Sequence, residues 1–219
     1  MRPMGRPKPG FENRFVEIFE MVTKDKIPQP SFLDKLKGKK FPTKDELLQE
    51  WFTNQIQSYE AIKAPRVGRD KEADEWINNK YNELEKKPPL DQFLREHNGF
   101  YVIELAKELD GVPVYISMGQ DRNVFRGQFL KDCVEIIGEE LVNEAYVTKL
   151  ADDTLDYGIR LMTVADKIAQ ERNLGFLKTQ RLPPDGEEGS IDSKLHIIYS
   201  FAKWLIFYGK NGHGYEADF

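Results

Sequence analysis

The sequence predicts a mainly α-helical protein, in which a helical bundle surrounds a buried C-terminal helix at about residues 192–208. Three observations lead to this prediction. Apolar residues recur at helical spacing along most of the chain, the densest apolar stretch lies near the C-terminus, and only residues 112–116 have a strand-like composition. Of the 219 residues, 40% are hydrophobic and 12% are aromatic, which excludes wholesale disorder because this is enough material for a core.

The first ten residues are expected to form a flexible basic arm. Five of them are proline or glycine, which makes regular structure unfavourable there. A helical N-terminal region is then expected over residues 11–88. Its first helix should occupy residues 11–23, because apolar side chains recur there at spacings of three and four until Pro28 intervenes.

Two more helices are expected in the N-terminal region. Thr43 is followed three residues later by Glu46, which is the pattern of a capping box, and we expect the helix that it begins to reach about residue 62. Residues 71–86 then form a polar helix with few apolar positions, which should pack on one narrow stripe.

The main helical domain is expected over residues 89–219, after the pair Pro88-Pro89. The segment 101–109 fits either a helix or a strand, and Pro113 restricts the short strand at 112–116 to an edge or an extended loop. Helical spacing predicts five helices in this domain, over residues 90–97, 123–137, 139–150, 153–168 and 192–208. Apolar side chains surround the last of them almost completely, so it should be the most buried element.

The charge is unevenly distributed along the chain. The formal net charge is −5, from 32 Lys plus Arg and 37 Asp plus Glu. Residues 1–40 contain ten basic and five acidic side chains, so the rest of the chain carries −10. This excludes a uniformly basic nucleic-acid-binding surface but leaves nucleic acid as a partner of residues 1–40.

The sequence also predicts a soluble, cytoplasmic protein. A lone cysteine, Cys133, excludes an internal disulfide framework and favours a reducing compartment. No run approaches the roughly 20 apolar residues that span a bilayer, so we expect no membrane partner. The basic start of the chain is not followed by an apolar segment, and it therefore does not fit a signal peptide.

The motif search favours a non-enzymatic role. Glycine-rich nucleotide-binding motifs and the serine nucleophile elbow are missing from the sequence, so no cofactor is predicted. Cys133 lies on an apolar helix face, which predicts a buried, unreactive thiol. The histidines His97, His196 and His213 are far apart and lack metal-ligand spacing, so no metal is predicted. The acidic pairs at 139–140 and 152–153 fall at predicted helix starts, where carboxylates stabilise the helix dipole.

The glycine-rich tail after the last helix supplies the catalytic candidates. Glycines at 209, 212 and 214 would permit a ligand to approach the backbone, and His213 with Glu216 could perform acid–base chemistry. His196 would complete the site if the fold brought it to the same pocket. The alternative is a helix cap followed by a tight turn, which docks Tyr215 and Phe219 on the core.

The basic arm supplies the DNA-binding candidates. The segment Gly5-Arg6-Pro7-Lys8, with Arg2 nearby, resembles an AT-hook, which lays an extended Gly-Arg-Pro core in the narrow minor groove of A·T-rich DNA. The candidate contacts are therefore Arg2, Arg6 and Lys8, and the lysines at 35–40 could add phosphate contacts. The alternative is a disordered basic terminus.

Residues 89–99 carry one resemblance to a known family. Their sequence, Pro-Leu-Asp-Gln-Phe-Leu-Arg-Glu-His-Asn-Gly, resembles the short helical signature of the SMI1/KNR4 family. Many members of that family are immunity or partner-binding proteins, although its members continue into several strands where this chain is predicted to turn helical. The resemblance implies a partner-binding role and no particular site residue.

These observations favour a non-enzymatic protein-interaction module. It would bind a basic protein partner through the acidic body of the chain, in the manner of an immunity protein or an antitoxin. The two alternatives are a DNA-associated protein that uses the basic arm, and a small-molecule enzyme or ligand binder at the glycine-rich tail.

Overall fold

The computed structural model describes residues 1–30, 40–58, 60, 65–100, 102, 105, 116–118, 123–180, 182–187 and 189–217. The chain divides into two compact units. A small unit comprises Gly5–Gln57, and a main unit comprises Met1–Met4 together with Ser58–Phe219. The small unit is thus inserted in the sequence of the main unit, after its first four residues. The mainly α-helical fold class is confirmed, with short antiparallel strand pairs added to the helices.

The small unit is built on two helices, α1 (Glu12–Thr23) and α2 (Lys44–Thr53). The predicted capping box is present at the start of α2, where the Thr43 side chain accepts from the backbone N–H of Glu46 and the Glu46 side chain accepts from that of Thr43. The indole N–H of Trp51 donates to the carbonyl oxygen of Phe15 at 3.2 Å, and their rings stack 4.6 Å apart. These contacts hold α1 against α2.

A short strand pair follows α2 in the small unit. The strand β2 (Arg6–Pro7) runs antiparallel to β3 (Gln55–Ile56). The predicted extension of α2 to residue 62 is therefore wrong. The helix ends at Asn54, whose side chain donates to the carbonyl oxygen of Glu50 at 2.9 Å, and the next two residues pair with β2 instead of continuing the helix.

The main unit is centred on two long helices, α6 (Ala151–Arg172) and α7 (Ile191–Lys210). Large aromatic side chains of both helices are fully buried between them and their neighbours, as Tyr157, Phe201 and Trp204 show. Buried residues occupy every side of the middle of α7. This confirms the prediction that the C-terminal helix is the central element of the bundle.

Small residues permit the close approach of α6 and α7. A β-carbon at Gly158 of α6 would lie 2.8 Å from the β-carbon of Leu205, and one at Gly209 of α7 would lie 2.7 Å from the backbone nitrogen of Leu155. Each helix thus presents a glycine to the other. The two backbones approach more closely than residues with side chains would permit.

The shorter helix α5 (Val134–Glu144) packs beside α6 and is kinked at Gly138, which has a φ of 81°. Of the helix that the sequence predicted over 123–137, only the part from Val134 onward is α-helical. The residues before it form the strand β5 (Asn123–Phe125), which pairs with β4 (Ile116–Met118), and a 3₁₀ helix (Gly127–Cys133). Backbone pairing of Phe125 with Met1 overrides the local helical preference there.

Two further helices, α3 (Lys71–Glu83) and α4 (Leu90–Glu96), form a separate small cluster in the main unit. Its buried residues are Val67, Ala73, Ile77, Phe93 and Val102. The structure does not describe most of the segment 101–109 or residues 112–115 of the predicted strand, and β4 begins at Ile116.

The first residues of the chain are part of the main-unit fold. The strand β1 (Arg2–Pro3) pairs antiparallel with β6 (Tyr215–Glu216), and the backbone N–H of Met4 donates to the carbonyl oxygen of Gly214 at 2.9 Å. Sequence reasoning assigned residues 1–10 to a flexible arm. Arg2–Pro3 and Arg6–Pro7 lie in short strands, since edge pairing tolerates the missing N–H of proline, and the flexibility of the arm stays a prediction. The two compact units divide near residues 4 and 57, and the expected domain boundaries at 10 and 88 stay predictions.

Candidate functional site

The glycine-rich tail forms a tight turn that returns the chain to the main-unit core. After α7 the backbone N–H of His213 donates to the carbonyl oxygen of Tyr208 at 3.0 Å, and Gly212 adopts a φ of 79°, which favours glycine. Tyr215 is fully buried beyond the turn. The tail therefore has the cap-and-turn geometry that was the alternative to a ligand site for this segment, while Phe219 lies outside the described residues.

His213 is fully buried inside this turn. Its Nδ1 atom lies 2.9 Å from the carbonyl oxygen of Met4, and its ring contacts that of Tyr208 edge-on at 6.3 Å. Because Met4 also donates its backbone N–H to Gly214, the histidine and the turn fix β1 against the tail. These contacts give His213 a structural role in joining the two ends of the main unit.

Glu216 lies in β6, where its carboxylate forms an ion pair with the guanidinium of Arg2 on β1. The Nε atom of Arg2 donates to Oε2 of Glu216 at 2.7 Å, and both side chains are partly buried. Each residue was a candidate for a different function, catalysis for Glu216 and DNA binding for Arg2. The structure joins them in one cross-strand pair.

His196 lies toward the other end of α7. It is buried, and its Nε2 atom lies 3.1 Å from the carbonyl oxygen of Gln180. Burial lowers the pKa of His196, and the charge of Lys203 acts in the same direction. Twelve residues separate it from Tyr208, which corresponds to about 18 Å along the helix. The structure thus brings His213 and Glu216 to one tail and places His196 elsewhere, and catalysis by these residues stays a prediction.

The other two DNA-binding candidates lie in the small unit. Arg6 is a residue of β2 and pairs with Ile56, while the Nζ atom of Lys8 donates to the carbonyl oxygen of Thr53 at 2.8 Å. The backbone around Arg6 is therefore engaged in a strand pair, whereas an AT-hook needs an extended segment that enters a groove. The lysines at 35–39 lie outside the described residues, and DNA binding stays a prediction.

Cys133 is buried in the main core, as its sequence position indicated. Desolvation, reinforced by the nearby carboxylate of Asp132, raises the pKa of its thiol to about 12. A thiol with this pKa is almost entirely protonated at neutral pH, so it is a poor nucleophile. Among the described residues, no group of three His, Cys, Asp or Glu side chains is arranged to hold a metal ion.

Six carboxylates lie on α5 and α6, and sequence analysis did not identify them as a site. Glu140 and Glu144 lie four residues apart on α5, and Asp152 and Asp156 are likewise spaced on α6, so each pair shares a helix face. Arg160 connects the two faces, because its guanidinium binds both Glu144 and Asp156. The acidic surface consists of Glu139, Glu140, Glu144, Asp152, Asp153 and Asp156.

The acidic surface retains most of its negative charge. Glu144 is neutralised by Arg160 and Lys149, and the hydrogen bond from Arg160 is the largest of the effects that lower its pKa. Four other carboxylates are exposed and form no ion pair with any residue in the described part of the chain; they are Glu139, Glu140, Asp152 and Asp153. The surface thus offers four unneutralised carboxylates to a cation.

Exposed apolar side chains accompany these carboxylates. Tyr146 and Val147, in the turn between α5 and α6, are 40% and 54% exposed, and Ile159 on α6 is 49% exposed. Ile159 lies seven residues after Asp152 and therefore on the same side of α6. Protein interfaces typically have apolar side chains at their centre and charged side chains at their rim, and this surface contains both kinds.

Sequence analysis interpreted these carboxylates through their positions at helix starts. The structure supports that interpretation locally, because Asp152 and Asp153 lie in the first turn of α6, and Glu139 and Glu140 directly follow the kink at Gly138. Sequence analysis missed the acidic surface because it depends on a tertiary contact between α5 and α6. The Glu144–Arg160 ion pair, across 16 residues, links α5 to α6.

Comparisons with known proteins identify no relative. No protein-family model matches the chain, and neither a curated protein nor a solved structure is similar to it. The described helices include none with the length and apolar character needed to cross a membrane.

Proposed function

We propose that this protein is a non-enzymatic interaction module that binds a basic protein partner through the acidic surface of α5 and α6. The observation that carries the proposal is the set of four exposed carboxylates without a neutralising partner among the described residues, beside the exposed side chains of Tyr146, Val147 and Ile159. An immunity protein or an antitoxin that covers a basic site of its target would act in this way.

Electrostatics favours a cationic partner over a neutral one. Carboxylates four residues apart on one helix face repel each other by a few tenths of a kcal/mol per pair, and a cation that binds between them removes this repulsion. Complementary charge also steers a partner and raises its association rate, an effect that salt suppresses because the Debye length is only about 10 Å at 0.1 M.

The exposed apolar residues supply the other requirement of a protein interface. Charge alone gives steering and orientation, whereas desolvated apolar and aromatic side chains provide most of the binding energy. Tyr146 is suited to this role because its ring is exposed while its hydroxyl is held by the carbonyl oxygen of Gly127 at 3.1 Å. A fixed aromatic ring loses little conformational entropy when a partner covers it.

The proposal places the protein in the cytoplasm. The single cysteine, which is unpaired and buried, supports this location, since disulfides are rare in reducing compartments. A cytoplasmic partner with a basic binding face is accordingly the expected target.

The test compares two variants that lose the same charge. The first, E140Q/D152N/D153N, neutralises the acidic surface. The control, E171Q/D185N/E187Q, neutralises three exposed carboxylates outside that surface, which also form no ion pair with described residues. Each chain is immobilised, and proteins captured from source-cell extract at low and high salt are identified by mass spectrometry and then measured individually for affinity.

We expect to capture a basic protein that binds the wild type and the control with equal affinity. It should bind the first variant at least about tenfold more weakly, because that variant has lost three charges of the binding surface. A further variant, V147S/I159S, should weaken binding while leaving the slope of affinity against salt unchanged. Equal capture by all variants, or capture of no basic protein at low salt, would overturn the proposal. Circular dichroism of the first variant checks that α6 still forms without its N-terminal carboxylates.

A further inference from the structure

A small cavity lies in the main unit where four segments of the chain meet. Its walls include Met1, the segment 124–128, Lys131, Tyr146 and Ala217, and its volume is about 280 Å³. None of the six carboxylates of the acidic surface lines the cavity, although Tyr146 belongs both to the cavity wall and to the interface proposed above. None of the wall residues was a candidate in the sequence analysis.

Hydrogen bonds fix the walls of this cavity. Met1 and Phe125 exchange two hydrogen bonds, from the amino group of Met1 at 2.8 Å and to its carbonyl oxygen at 3.0 Å. The hydroxyl of Tyr146 donates to the carbonyl oxygen of Gly127, and the backbone N–H of Ala217 donates to the Thr148 hydroxyl oxygen at 3.2 Å. The backbone and the tyrosine of the wall are thus already in place, and a ligand would order only the side chains that bind it.

The charges of the wall are positive. Arg126 and Lys131 both line the cavity, and neither forms an ion pair with any residue in the ranges that the structure describes. Gln128 adds an amide group, and the lining residues that are described include no carboxylate. Because Asp and Glu outnumber Lys and Arg in this chain, two cations without an ion pair in one cavity wall are a departure from its overall charge.

We propose that this cavity binds a phosphate group, either as free phosphate or on a small phosphorylated molecule. A guanidinium presents a planar fork that binds two phosphate oxygens, and an ammonium supplies a point charge for a third. Two positive charges match the charge of about −1.5 to −2 that a phosphomonoester carries at pH 7. A carboxylate, with two oxygens and one charge, would leave one of the two cations without a partner.

The size of the cavity limits the ligand. Sites for drug-sized molecules have volumes of roughly 300 to 1,000 Å³, so a cavity of about 280 Å³ lies just below that range. It has room for phosphate with a short organic group and is too small to enclose a nucleotide. The proposal concerns this site alone and does not depend on the partner proposed for the acidic surface.

The test is a calorimetric titration of the full chain with inorganic phosphate and, separately, with glycerol 3-phosphate. Chloride keeps the ionic strength constant, so that general screening does not imitate binding. The site variant is R126Q/K131Q. The control is K167Q/R172Q, which removes the same charge from two exposed positions of α6 that are not in the cavity and form no ion pair with described residues. Acetate serves as the carboxylate ligand.

We expect saturable binding of one phosphate group per chain to the wild type and the control, and binding at least about tenfold weaker to the site variant. Tighter binding of glycerol 3-phosphate than of inorganic phosphate would assign the site to a phosphorylated small molecule, and the reverse order would assign it to free phosphate. The proposal is overturned if no phosphate ligand saturates, if the control loses as much affinity as the site variant, or if a carboxylate binds more tightly than phosphate. Arg126 and Lys131 are exposed, so the variants should keep the fold, which a thermal unfolding curve verifies.

Discussion

The carbonyl oxygen of Lys149 occupies the space that a β-carbon on Gly214 would need. The two backbone segments lie this close because Lys149 and Tyr215 exchange backbone hydrogen bonds of 3.0 and 2.9 Å. The approach holds the tail against the start of α6. Glycine is thus required at position 214 for packing and not for an unusual backbone angle.

Replacing Gly214 by alanine should lower the free energy of unfolding by about 3 kcal/mol, because a methyl group there must displace backbone and not a flexible side chain. Urea unfolding followed by far-ultraviolet circular dichroism measures the change. The matched control is Gly175→Ala, where no atom lies within 4 Å of the added carbon and the stability should change by less than about 1 kcal/mol. Equal effects of the two substitutions would contradict the packing of the tail.

His196 should make stability depend on pH near neutrality. Burial holds the pKa of His196 in the folded protein below its ordinary value of 6.5, so the unfolded chain takes up the proton first as the pH falls. The contribution of His196 to stability is therefore full above pH 6.5. It falls as the pH drops through 6.5 toward the lower pKa of the folded state, by at most about 1.4 kcal/mol per pH unit for one proton.

The measurement compares the wild type with His196→Gln in urea at pH 7.5, 6.5 and 5.5. The difference in unfolding free energy between the two proteins should shift in favour of the variant as the pH falls, because glutamine does not titrate. If the unfolding free energies of the two proteins change in parallel with pH over this range, His196 is protonated equally in the folded and unfolded states.

Cys133 should react slowly with thiol reagents in the folded protein. With a pKa of about 12, only about 0.01% of the thiol is ionised at pH 8, and the side chain is also fully buried. We expect alkylation by iodoacetamide to be at least about a hundredfold slower in buffer than in 6 M urea, where the pKa returns to about 8.5. Comparable rates with and without urea would place Cys133 at the surface.

Thr43 should stabilise the small unit through its capping box with Glu46. Thr43→Ala removes the acceptor for the backbone N–H of Glu46, which costs about 1 kcal/mol, whereas Thr43→Ser retains the hydroxyl and should change stability by less than about 0.5 kcal/mol. Tryptophan fluorescence is a suitable measurement because Trp51 lies in the same helix. An alanine variant as stable as the serine variant would exclude this cap.

Local patterns predicted the elements whose stabilising contacts are local. Thr43 and Glu46 identified the start of α2, and the apolar run at 192–208 identified α7 to within two residues at its end. Gly138 marked a break that the structure shows as a kink between two helical pieces. In each example, the residues that determine the structure lie within one or two turns of one another.

Contacts between distant residues could not be predicted in the same way. The ion pair of Arg2 with Glu216 spans 214 positions, and the strands it joins have two residues each, too short to show a period. Pro3 and Pro7 suggested an irregular arm, yet proline is compatible with short edge strands. The backbone pairing of Met1 with Phe125 likewise prevented the helix that the spacing after Asn123 indicated.

The candidate sites also differ in whether they depend on local patterns or on contacts between distant residues. Sequence patterns directed attention to His213 and Glu216 because of their glycine neighbours, and the structure assigns both to contacts with the first four residues. The acidic surface depends on the pairing of Glu144 with Arg160, and the cavity depends on four segments that meet in space. Neither arrangement has a linear motif.

The pairing of β1 with β6 has a consequence for synthesis of the chain. Arg2 leaves the ribosome 214 residues before Glu216, which corresponds to roughly 10 to 40 s at bacterial or eukaryotic elongation rates. The small unit, Gly5–Gln57, can fold during this interval, since it contains both partners of its own strand pair. Met1 can pair with Phe125 once residue 125 has been made, whereas β1 lacks its partner strand until Tyr215 and Glu216 have been made. The pairing of β1 with β6 is thus a late event of folding, and a chain stopped before residue 213 leaves β1 without its partner strand.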